Sequence, residues 1–280
     1  MFYLYLQITQ MKIIKKKNDF NKYLTNISNL GFVPTMGSLH DGHLSLVKES
    51  QKICKKTLVS IFVNPAQFDN KKDFLSYPRN IKKDLNILKK LKVDYVFIPS
   101  KKEIYKKRRF KKIIIKKNLN ILCGKHRKGH FEGVIDIIDR FLNLINPKYM
   151  FLGQKDFQQQ FLIKEYVKNK FKVKIKSCKT VRDNNKIALS SRNKLLNEKE
   201  LKIVSKITNK LILLRKNIKK NINLFKKIKN IKKELINSFN IKLEYLEILN
   251  KKNLSKNIRK NNFKIFIAYY IGKVRLIDNF

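Results

Sequence analysis

Short apolar runs of strand length alternate with helix-periodic stretches through the first two thirds of the chain. The predicted strands are Met11–Ile14, Gly31–Thr35, Thr57–Val63, Tyr95–Pro99, Tyr149–Leu152 and Lys172–Lys176. The predicted helices, several with apolar residues three and four apart, cover 19–28, 42–54, 80–91, 131–145 and 157–169. Strand and helix in alternation predict a parallel sheet that helices cover on both faces.

The pattern changes after about residue 176. Two long Lys-rich helical stretches and then two strand-like stretches follow: 197–216, 222–238, Lys242–Leu249 and Phe263–Ile271. Helices followed by strands make an α+β arrangement. We therefore predict an α/β chain with two domains. A Rossmann-like parallel-sheet domain over 1–176 would bind ligands at the carboxyl ends of its strands, and a smaller α+β domain over 177–280 would act as a lid.

The composition describes a folded but very basic protein. Its 280 residues are 43% hydrophobic, enough to bury a core, and its formal net charge of +46 is typical of nucleic-acid binders. However, only ten of the 66 basic residues are Arg, and Lys, Asn and Ile are enriched together, as A- and T-rich codons would produce. We therefore attribute the charge to compositional drift and predict no nucleic-acid partner. Polyanion binding is the alternative, which retention on heparin at physiological salt would reveal.

The cysteines and the chain's opening indicate a cytoplasmic protein. Cys54, Cys123 and Cys178 have neither disulfide nor zinc spacing, which fits a reducing compartment. The apolar opening is too short to span a bilayer, and its lysines follow the apolar run, so we predict neither export nor a membrane span. Met11 is an alternative start, in which case residues 1–10 are a non-native extension that the mass of the natural protein would exclude or confirm.

The most informative segment is Pro34–His43, which joins a predicted strand to a predicted helix. His40 and His43 are three residues apart and therefore share one face of the first helical turn, where backbone N–H groups and the helix dipole attract anions. Both imidazoles could then reach one phosphate. Taken alone, such a pair is as often a packing feature or an incidental metal site, so the glycine and the preceding strand are what favour nucleotide chemistry.

Polar residues also follow other predicted strands and loops. Pro65 stops its strand, so Asn64 and Gln67 would project from the same sheet edge, where amides suit hydroxyl and carboxylate recognition. Arg127 and His130 flank a glycine just before a helix, which again favours an anion. The alternatives are an ordinary capping loop for the first segment and a solvent-facing basic loop for the second.

Two more segments are rich in phosphate-binding side chains. Lys155 and Asp156 follow a strand that ends in glycine, so the ammonium could meet a phosphate while the carboxylate caps a helix or receives a ribose hydroxyl. Ser190, Ser191 and Arg192 offer two hydroxyls and a guanidinium that could hold a triphosphate. The alternative for this last segment is a plain serine cap before a helix.

In this order the segments resemble the pantothenate synthetase family, the pantoate:β-alanine ligases of the HIGH-motif nucleotidyltransferase superfamily. The similarity runs from Met11 to Asp278. The motifs that carry it are Pro34–Gly37, His40–His43, Ser60–Pro65, Tyr77–Arg79, Gly129–Phe131, Lys155–Gln159, Ser190–Asn193 and Arg275–Asn279.

The resemblance implies an ATP-dependent condensation of (R)-pantoate with β-alanine to give pantothenate. The pantoate carboxylate would attack the α-phosphate of ATP, giving pantoyl adenylate and pyrophosphate, and the β-alanine amine would then displace AMP. Mg²⁺ would be carried by ATP, with no metal site on the protein. The implied partners are these small molecules and a second copy of the chain in a cytoplasmic homodimer.

The resemblance also implies the site residues. The catalytic group would be His40, His43 as proton donor, Lys155, Ser190, Ser191 and Arg192. The ATP-binding group would be Met36, Gly37, Ser38, Leu39, His40, Asp41, Gly42, His43, Gly153, Gln154, Lys155, Asp156, Val181, Leu189, Ser190, Ser191 and Arg192. Pantoate and β-alanine would contact Gln67 and Gln159, with secondary contacts from Asn64, Tyr77, Arg127 and His130.

Several positions depart from the family pattern. Cys123 replaces Glu, Lys128 replaces Pro, Gln154 replaces Glu, and Asn185-Lys186 replaces an Asp-Gly turn. The last change puts a side chain where a glycine would relieve a positive φ. Because the principal site residues are all in place, we predict retained activity, with any cost falling on stability.

Two other interpretations stay open. The first is a related nucleotidyltransferase that acts on a different acid or phosphate, against which Gln67, Gln159 and Asn64-Pro65 count. The second is a basic nucleic-acid-binding protein descended from the enzyme.

Overall fold

The computed structural model describes residues 10–105, 115, 120–218, 224–258 and 262–280. The residues proposed as a non-native extension lie outside these ranges, apart from Gln10. Two sheets organise the described part, a six-stranded parallel sheet and a three-stranded antiparallel sheet, which confirms the predicted α/β class with a smaller α+β part.

All six strands predicted in the first two thirds are present and pair in parallel. They are β1 (Lys12–Ile14), β2 (Leu30–Thr35), β3 (Lys56–Ile61), β4 (Tyr95–Phe97), β5 (Tyr149–Gly153) and β6 (Lys174–Cys178). Their order across the sheet is β1-β4-β3-β2-β5-β6. After β2 the chain adds β3 and β4 on one side, and it then returns to place β5 and β6 on the other side of β2. The strand order therefore reverses between β2 and β5. Sheets of this kind bind ligands at that reversal, beyond the carboxyl ends of the strands.

The helices are α1 (Asp19–Leu24), α2 (Asp41–Ile53), α3 (Lys71–Ser76), α4 (Ile81–Lys90), α5 (Lys101–Tyr105), α6 (Leu122–His126), α7 (His130–Ile145), α8 (Phe157–Val167), α9 (Glu198–Ile218) and α10 (Leu224–Ser238). Each predicted helix has its counterpart here. The short helices α3, α5 and α6 were not predicted, because five or six residues are too few to display an apolar periodicity.

The central strands of the parallel sheet, β2 to β5, are apolar and largely buried on both faces, whereas the edge strands β1 and β6 are partly exposed. Side chains that alternate along each strand point to opposite faces. One face carries Phe32, Leu58 and Phe97 against α7, and the other carries Val33, Val59 and Val96 against α2 and α4. All six are 0% exposed, which explains why these strands are continuous apolar runs.

The antiparallel sheet follows α9 and α10. Its strands are β7 (Ile241–Asn250), β8 (Phe263–Ile271) and β9 (Val274–Asn279), in that order across the sheet. The sequence did not predict β9, because only Leu276 and Asn279 of this edge strand are buried and its apolar pattern is correspondingly weak. Among the described residues, no helix has the length and apolar character that a membrane crossing requires.

The small sheet packs against the part of the chain that carries the parallel sheet, chiefly through α6 and the turn after β5. Helices α9 and α10 cover one face of the small sheet through residues such as Leu211 and Leu235. Tyr245, Leu249 and Phe266 from the small sheet belong instead to the same hydrophobic cluster as the α7 side of the parallel sheet. The carboxyl edge of the parallel sheet is therefore closed on one side by the small sheet.

Candidate active site

His40 and His43 lie together at the start of α2, one turn beyond the carboxyl end of β2. Their ring centroids are 4.1 Å apart, with the rings tilted by 41°. His40 is the helix N-cap, and its Nδ1 accepts a hydrogen bond of 3.1 Å from the backbone N–H of Gly42. A Cβ at position 42 would lie 2.8 Å from the His40 ring, so glycine lets the imidazole fold over the helix terminus. With Nδ1 occupied as acceptor, the neutral His40 ring carries its proton on Nε2.

Burial and nearby cations keep both imidazoles neutral. Burial is the main cause that lowers the pKa of His40 to about 4, and the ammonium groups of Lys155 and Lys194 lower it further. Burial likewise lowers the pKa of His43 to about 3, followed by the effects of His40 and of the same two lysines. Within the part of the chain that the structure describes, Nδ1 of His43 has no hydrogen-bond partner. The free protein therefore presents two uncharged imidazoles beside two cations.

The loop before α2 contains two residues with a left-handed backbone, and a buried carboxylate binds it. Gly37 and Ser38 have φ values of 76° and 51°, in the left-handed region. The Asp84 carboxylate, 2% exposed on α4, accepts hydrogen bonds of 2.8 Å from the backbone N–H groups of Ser38 and Leu39. Asp84 therefore fixes the path by which the chain leaves β2 and reaches His40.

Asn64 stabilises the turn after β3 through hydrogen bonds of its side chain. Asn64 is 1% exposed and caps the short 3-10 helix Pro65–Gln67. Its Oδ1 accepts from Ala66 N–H and from the Tyr105 hydroxyl, and its Nδ2 donates to the carbonyl of Gly133. The amide of Gln67 instead points into the site, where Nε2 lies 2.8 Å from the sulfur of Met36. Gln67 thus lines the cavity, with its Oε1 3.4 Å from Asn64 Nδ2, while Asn64 holds the turn.

His130 and Arg127 hold the Gln67 turn from the other side. His130 Nδ1 is 2.6 Å from the Gln67 carbonyl oxygen, which can only accept, so Nδ1 carries the proton. Nε2 then accepts from Arg127 Nη1 at 3.0 Å, and Arg127 Nε donates to Asp69 at 2.8 Å. Burial lowers the pKa of His130 to about 3, so the ring stays neutral. These two predicted substrate residues therefore make their polar contacts with the turn.

The turn after β5 brings a lysine to the histidines. Residues Gln154–Asp156 form a single 3-10 turn between β5 and α8, and the Lys155 ammonium is close enough to lower the pKa of both His40 and His43. Gln159 follows on the first turn of α8 and lines the same cavity. Because β2 and β5 are neighbours in the sheet, these groups meet at the point where the strand order reverses.

A loop from the second part of the chain forms the opposite wall. Ser190 caps the 3-10 helix Ser191–Leu195, and the buried Ser191 hydroxyl donates to the Ser38 carbonyl at 3.1 Å. Arg192 pairs with Asp73 at 2.8 Å, with its guanidinium 5.9 Å from the centre of the Tyr77 ring. Lys194 Nζ lies 2.9 Å from the Ser38 hydroxyl. Ser191 and Lys194 therefore contact the loop that leads to α2, while Ser190 and Arg192 line the same cavity.

Most of the predicted site residues line two adjoining cavities at this edge. The cavity beside the histidines is lined by Met36, His40, Gly42, His43, Asn64, Gln67, Tyr77, Gly153, Lys155, Asp156, Gln159, Val181, Leu189, Ser190, Ser191 and Arg192. The second cavity reaches the small sheet, shares seven of these residues and adds Arg127 and His130. The predicted residues outside both linings are Gly37, Ser38, Leu39, Asp41 and Gln154. Of these, Gly37 and Ser38 adopt the left-handed backbone of the loop that leads to the histidines, and the peptide N–H groups of Ser38 and Leu39 bind Asp84.

Several residues of the site have no counterpart in the predictions. Asp84 carried one usable signal, because an acidic side chain four residues before the fully buried Leu88 falls on the apolar face of α4. Lys194 had no local signal, and the closing motif Arg275–Asn279 contains Asn279 but does not indicate its contact, since both roles depend on contacts across the fold. The close approach at Gly133 was not predicted either: a Cβ there would lie 2.0 Å from the carbonyl oxygen of Ala66.

The departures from the family pattern sit around the site. Lys186 has a φ of 67°, which confirms that a side chain occupies a left-handed turn position. Cys123 is 7% exposed, with its sulfur 3.1 Å from the Tyr245 hydroxyl and 3.5 Å from Arg275 Nη2. Lys128 is exposed, and Gln154 contributes its backbone carbonyl to a hydrogen bond from Asn279.

The fold and this site define a class of protein. A parallel sheet that reverses its strand order beside paired histidines, a lysine and a Ser-Ser-Arg loop is an α/β enzyme built to bind a nucleotide.

Comparison with known proteins identifies the family. The family model described as pantoate-beta-alanine ligase matches residues 10–280, and the chain belongs to this family of ATP-binding ligases of pantothenate biosynthesis. The pantothenate synthetase of Francisella tularensis subsp. mediasiatica (strain FSC147) is 41% identical over 269 residues, which cover 95% of each chain. That of subsp. novicida (strain U112) is 40% identical with the same coverage.

Solved structures agree. The crystal structure of pantothenate synthetase from Thermus thermophilus has a TM-score of 0.90 at 28% identity and covers 96% of this chain and 99% of its own. The pantoate-beta-alanine ligase of Francisella tularensis, complexed with beta-gamma ATP and beta-alanine, has a TM-score of 0.81 at 39% identity and covers 96% of this chain and 97% of its own.

Proposed function

We propose that this ligase joins (R)-pantoate to β-alanine through a pantoyl-adenylate intermediate. The observation that carries the proposal is the convergence of His40, His43, Lys155 and Arg192 on one cavity that Gln67 and Gln159 also line. Cations and imidazole N–H groups suit phosphates, whereas the two amides offer both donors and acceptors to a hydroxy acid. One cavity thus combines a triphosphate site with a site for a small polar acid.

In the first step the pantoate carboxylate attacks the α-phosphorus of ATP, and the bond to the pyrophosphate oxygen breaks. His40, His43 and Lys155 would bind the phosphates from α2 and the β5 turn, with Ser190, Ser191 and Arg192 across the cavity. His43 would supply a proton to the departing pyrophosphate. Positioning and charge neutralisation are the main contributions that such a site can make to phosphoryl chemistry.

In the second step the β-alanine amine attacks the acyl carbon of the adenylate, and AMP leaves. Gln67 would contact both acids, because its amide lies where the two cavities join. Asn64, Arg127 and His130 would act by holding the Gln67 turn, given the hydrogen bonds that already occupy their polar atoms. Met36, Gly153, Asp156, Val181 and Leu189 would surround the nucleoside.

Magnesium fits this site as an ion carried on ATP. The described ranges contain no group of three His, Cys, Asp or Glu side chains that could hold a metal. The lining is rich in ammonium, guanidinium, hydroxyl and amide groups, which suit phosphate oxygens. Mg²⁺ bound to the triphosphate would neutralise part of its charge. The family likeness also favours a homodimer, which light scattering of the purified protein tests.

Isotope exchange and isotope transfer test the two steps. The purified protein should exchange pyrophosphate into ATP only when pantoate is present, and β-alanine should then release AMP. Pantoate labelled with ¹⁸O in its carboxylate should place one labelled oxygen in AMP, because the adenylate forms through that oxygen. Exchange without pantoate would favour a nucleotidyltransferase with another acid, and unlabelled AMP would exclude the adenylate.

Variants of two histidines test the assignment of the phosphate site. His43→Ala should abolish the exchange reaction while the far-ultraviolet circular dichroism spectrum stays unchanged. His126→Ala is the matched control, because His126 is exposed and lines neither cavity. Near-normal turnover in His43→Ala would refute its role as proton donor.

A further inference from the structure

The last strand of the small sheet ends against the turn that carries Lys155. Asn279 is 3% exposed at the end of β9. Its Nδ2 donates to the carbonyl of Gln154 at 2.8 Å and to the carbonyl of Lys155 at 2.9 Å. Both protons of one amide group therefore bind consecutive carbonyls of the 3-10 turn.

The orientation of the Asn279 amide is fixed by a lysine. Lys264 on β8 donates from Nζ to Asn279 Oδ1 at 2.7 Å. An ammonium group can only donate hydrogen bonds, and the two carbonyls can only accept them. Rotating the Asn279 amide by half a turn would therefore place its Nδ2 against the Lys264 ammonium and its Oδ1 against the carbonyl oxygens. Lys264 therefore keeps the Nδ2 group directed at the Lys155 turn.

The neighbouring residue holds another segment of the site. Asp278 binds Arg182 through two hydrogen bonds, Oδ2 to Nη1 at 2.7 Å and Oδ1 to Nη2 at 2.9 Å. Arg182 follows Val181, and it also donates to the carbonyl of Lys186 in the turn that leads to the Ser190 loop. Two consecutive residues of β9 thus contact the turn after β5 and the segment that begins the opposite wall.

Within the described residues, the start of the Lys155 turn is open on one side. Its N-cap, Gly153, provides no side-chain cap. A Cβ built on Gly153 would have no atom within 4 Å, so the backbone on that side is not packed. Hydrogen bonds within a 3-10 turn have poorer geometry than those of an α-helix, so the two bonds from Asn279 add support to this turn.

We propose that Asn279 is a positioning residue, which holds the backbone of Lys155 so that its ammonium meets the ATP phosphates, and that Lys264 acts by orienting Asn279. The proposal rests on the proposed function only in assigning phosphate contact to Lys155. The small sheet then contributes to adenylation through its final strand, although its side chains make few of the predicted substrate contacts.

Four variants test this role. Asn279→Ala removes both donors, and Asn279→Asp removes them while keeping the size and adding a partner for the Lys264 ammonium. Asn250→Ala is the control, because Asn250 is a 7% exposed asparagine of the same sheet whose amide binds Asn257 and Asn262 instead. We expect both Asn279 variants to raise the dissociation constant of ATP about tenfold, which corresponds to about 1.4 kcal/mol, and Asn250→Ala to leave it unchanged.

The fourth variant, Lys264→Met, separates positioning from stability. Burial chiefly lowers the pKa of Lys264 to about 8, with Asp278 opposing the shift and Arg215, Arg182 and Lys251 adding to it. The folded state therefore holds this ammonium at a cost at neutral pH, and methionine should leave the melting temperature equal or higher. ATP binding should nevertheless weaken about threefold, because the Asn279 amide is free to rotate.

A double-mutant cycle with Lys155→Ala decides whether Asn279 acts through Lys155. Asn279→Asp should weaken ATP binding in the wild-type background and have less than a twofold effect in Lys155→Ala. Equal effects in both backgrounds, or unchanged ATP binding in Asn279→Asp, would overturn the proposal. Because calorimetric ATP binding needs no pantoate, these results hold even if the pantoate-dependent exchange fails and the proposed function falls.

Discussion

Asp84→Asn is the sharpest test of how the fold prepares the nucleotide site. The wild-type carboxylate accepts two backbone N–H groups, each at 2.8 Å, from a loop whose Gly37 and Ser38 have positive φ. An asparagine keeps one acceptor and turns an NH₂ group toward the other N–H. Hydrogen bonds to a charged group contribute about 1.5–3 kcal/mol each, so losing one should lower the free energy of unfolding by about 2–3 kcal/mol.

The same change should impair ATP binding. A left-handed conformation at a residue other than glycine costs about 1–3 kcal/mol, so without its carboxylate support the Ser38 backbone should relax and shift His40. We expect the KM for ATP in pyrophosphate exchange to rise about tenfold or more, since about 1.4 kcal/mol corresponds to a factor of ten. Urea denaturation and exchange kinetics measure the two effects separately.

Asp94→Asn provides the matched control. Asp94 also accepts a backbone N–H, from Thr57 at 2.9 Å, and pairs with Lys56, but it lies just before β4 and beside the amino end of β3, at the edge of the sheet away from the site. This variant should lose stability and keep the KM for ATP. The reasoning would be refuted if Asp84→Asn kept a wild-type KM for ATP, or if both variants lost the same exchange activity.

Three further predictions follow from the same geometry. Gly133→Ala should raise the KM for pantoate about tenfold or prevent folding, because its Cβ would lie 2.0 Å from the Ala66 carbonyl in the turn before Gln67; a wild-type KM would contradict the assigned close approach. ATP should bind with proton uptake that His43→Gln reduces, since phosphate charge raises pKa values of about 3 and 4, and calorimetry in two buffers measures it. The stability of the ligand-free protein should fall as pH drops from about 6.5 toward 4, because the folded state disfavours protonated His40, His43 and His130, and thermal melts that are flat over this range would refute it.

Local spacing was enough to predict that His40 and His43 lie together in the candidate site. His40 and His43 are one helical turn apart and follow β2 after a short loop, so their proximity depends on a few consecutive residues. The Lys155 turn and the Ser190 loop were found in the same way, from clusters of polar residues in short consecutive segments. The parallel sheet then brings its strand ends, with the polar residues that follow them, to one edge.

Local spacing could not predict the residues that hold the backbone of the site, Asp84 and Asn279. Asp84 is 45 and 46 positions from the peptide groups it binds, and Asn279 is 124 and 125 positions from the carbonyls of the Lys155 turn. Such pairs depend on how whole elements pack, which no local pattern encodes. The direction of hydrogen bonds is equally hidden, since nothing local shows that the polar atoms of Arg127 and His130, both predicted as substrate residues, bind the Gln67 carbonyl and each other.

The site places two lysines beside two histidines whose protonation a bound ligand would change. Burial, with the nearby ammonium groups of Lys155 and Lys194 adding to its effect, keeps the imidazoles of His40 and His43 neutral in the free protein. A triphosphate would be attracted by the lysines and would then cancel their effect on the histidine pKa values. In the proposed mechanism, protonation of His43 therefore follows ATP binding. On this proposal His43 would become able to donate a proton only once ATP, which carries the departing pyrophosphate group, is bound.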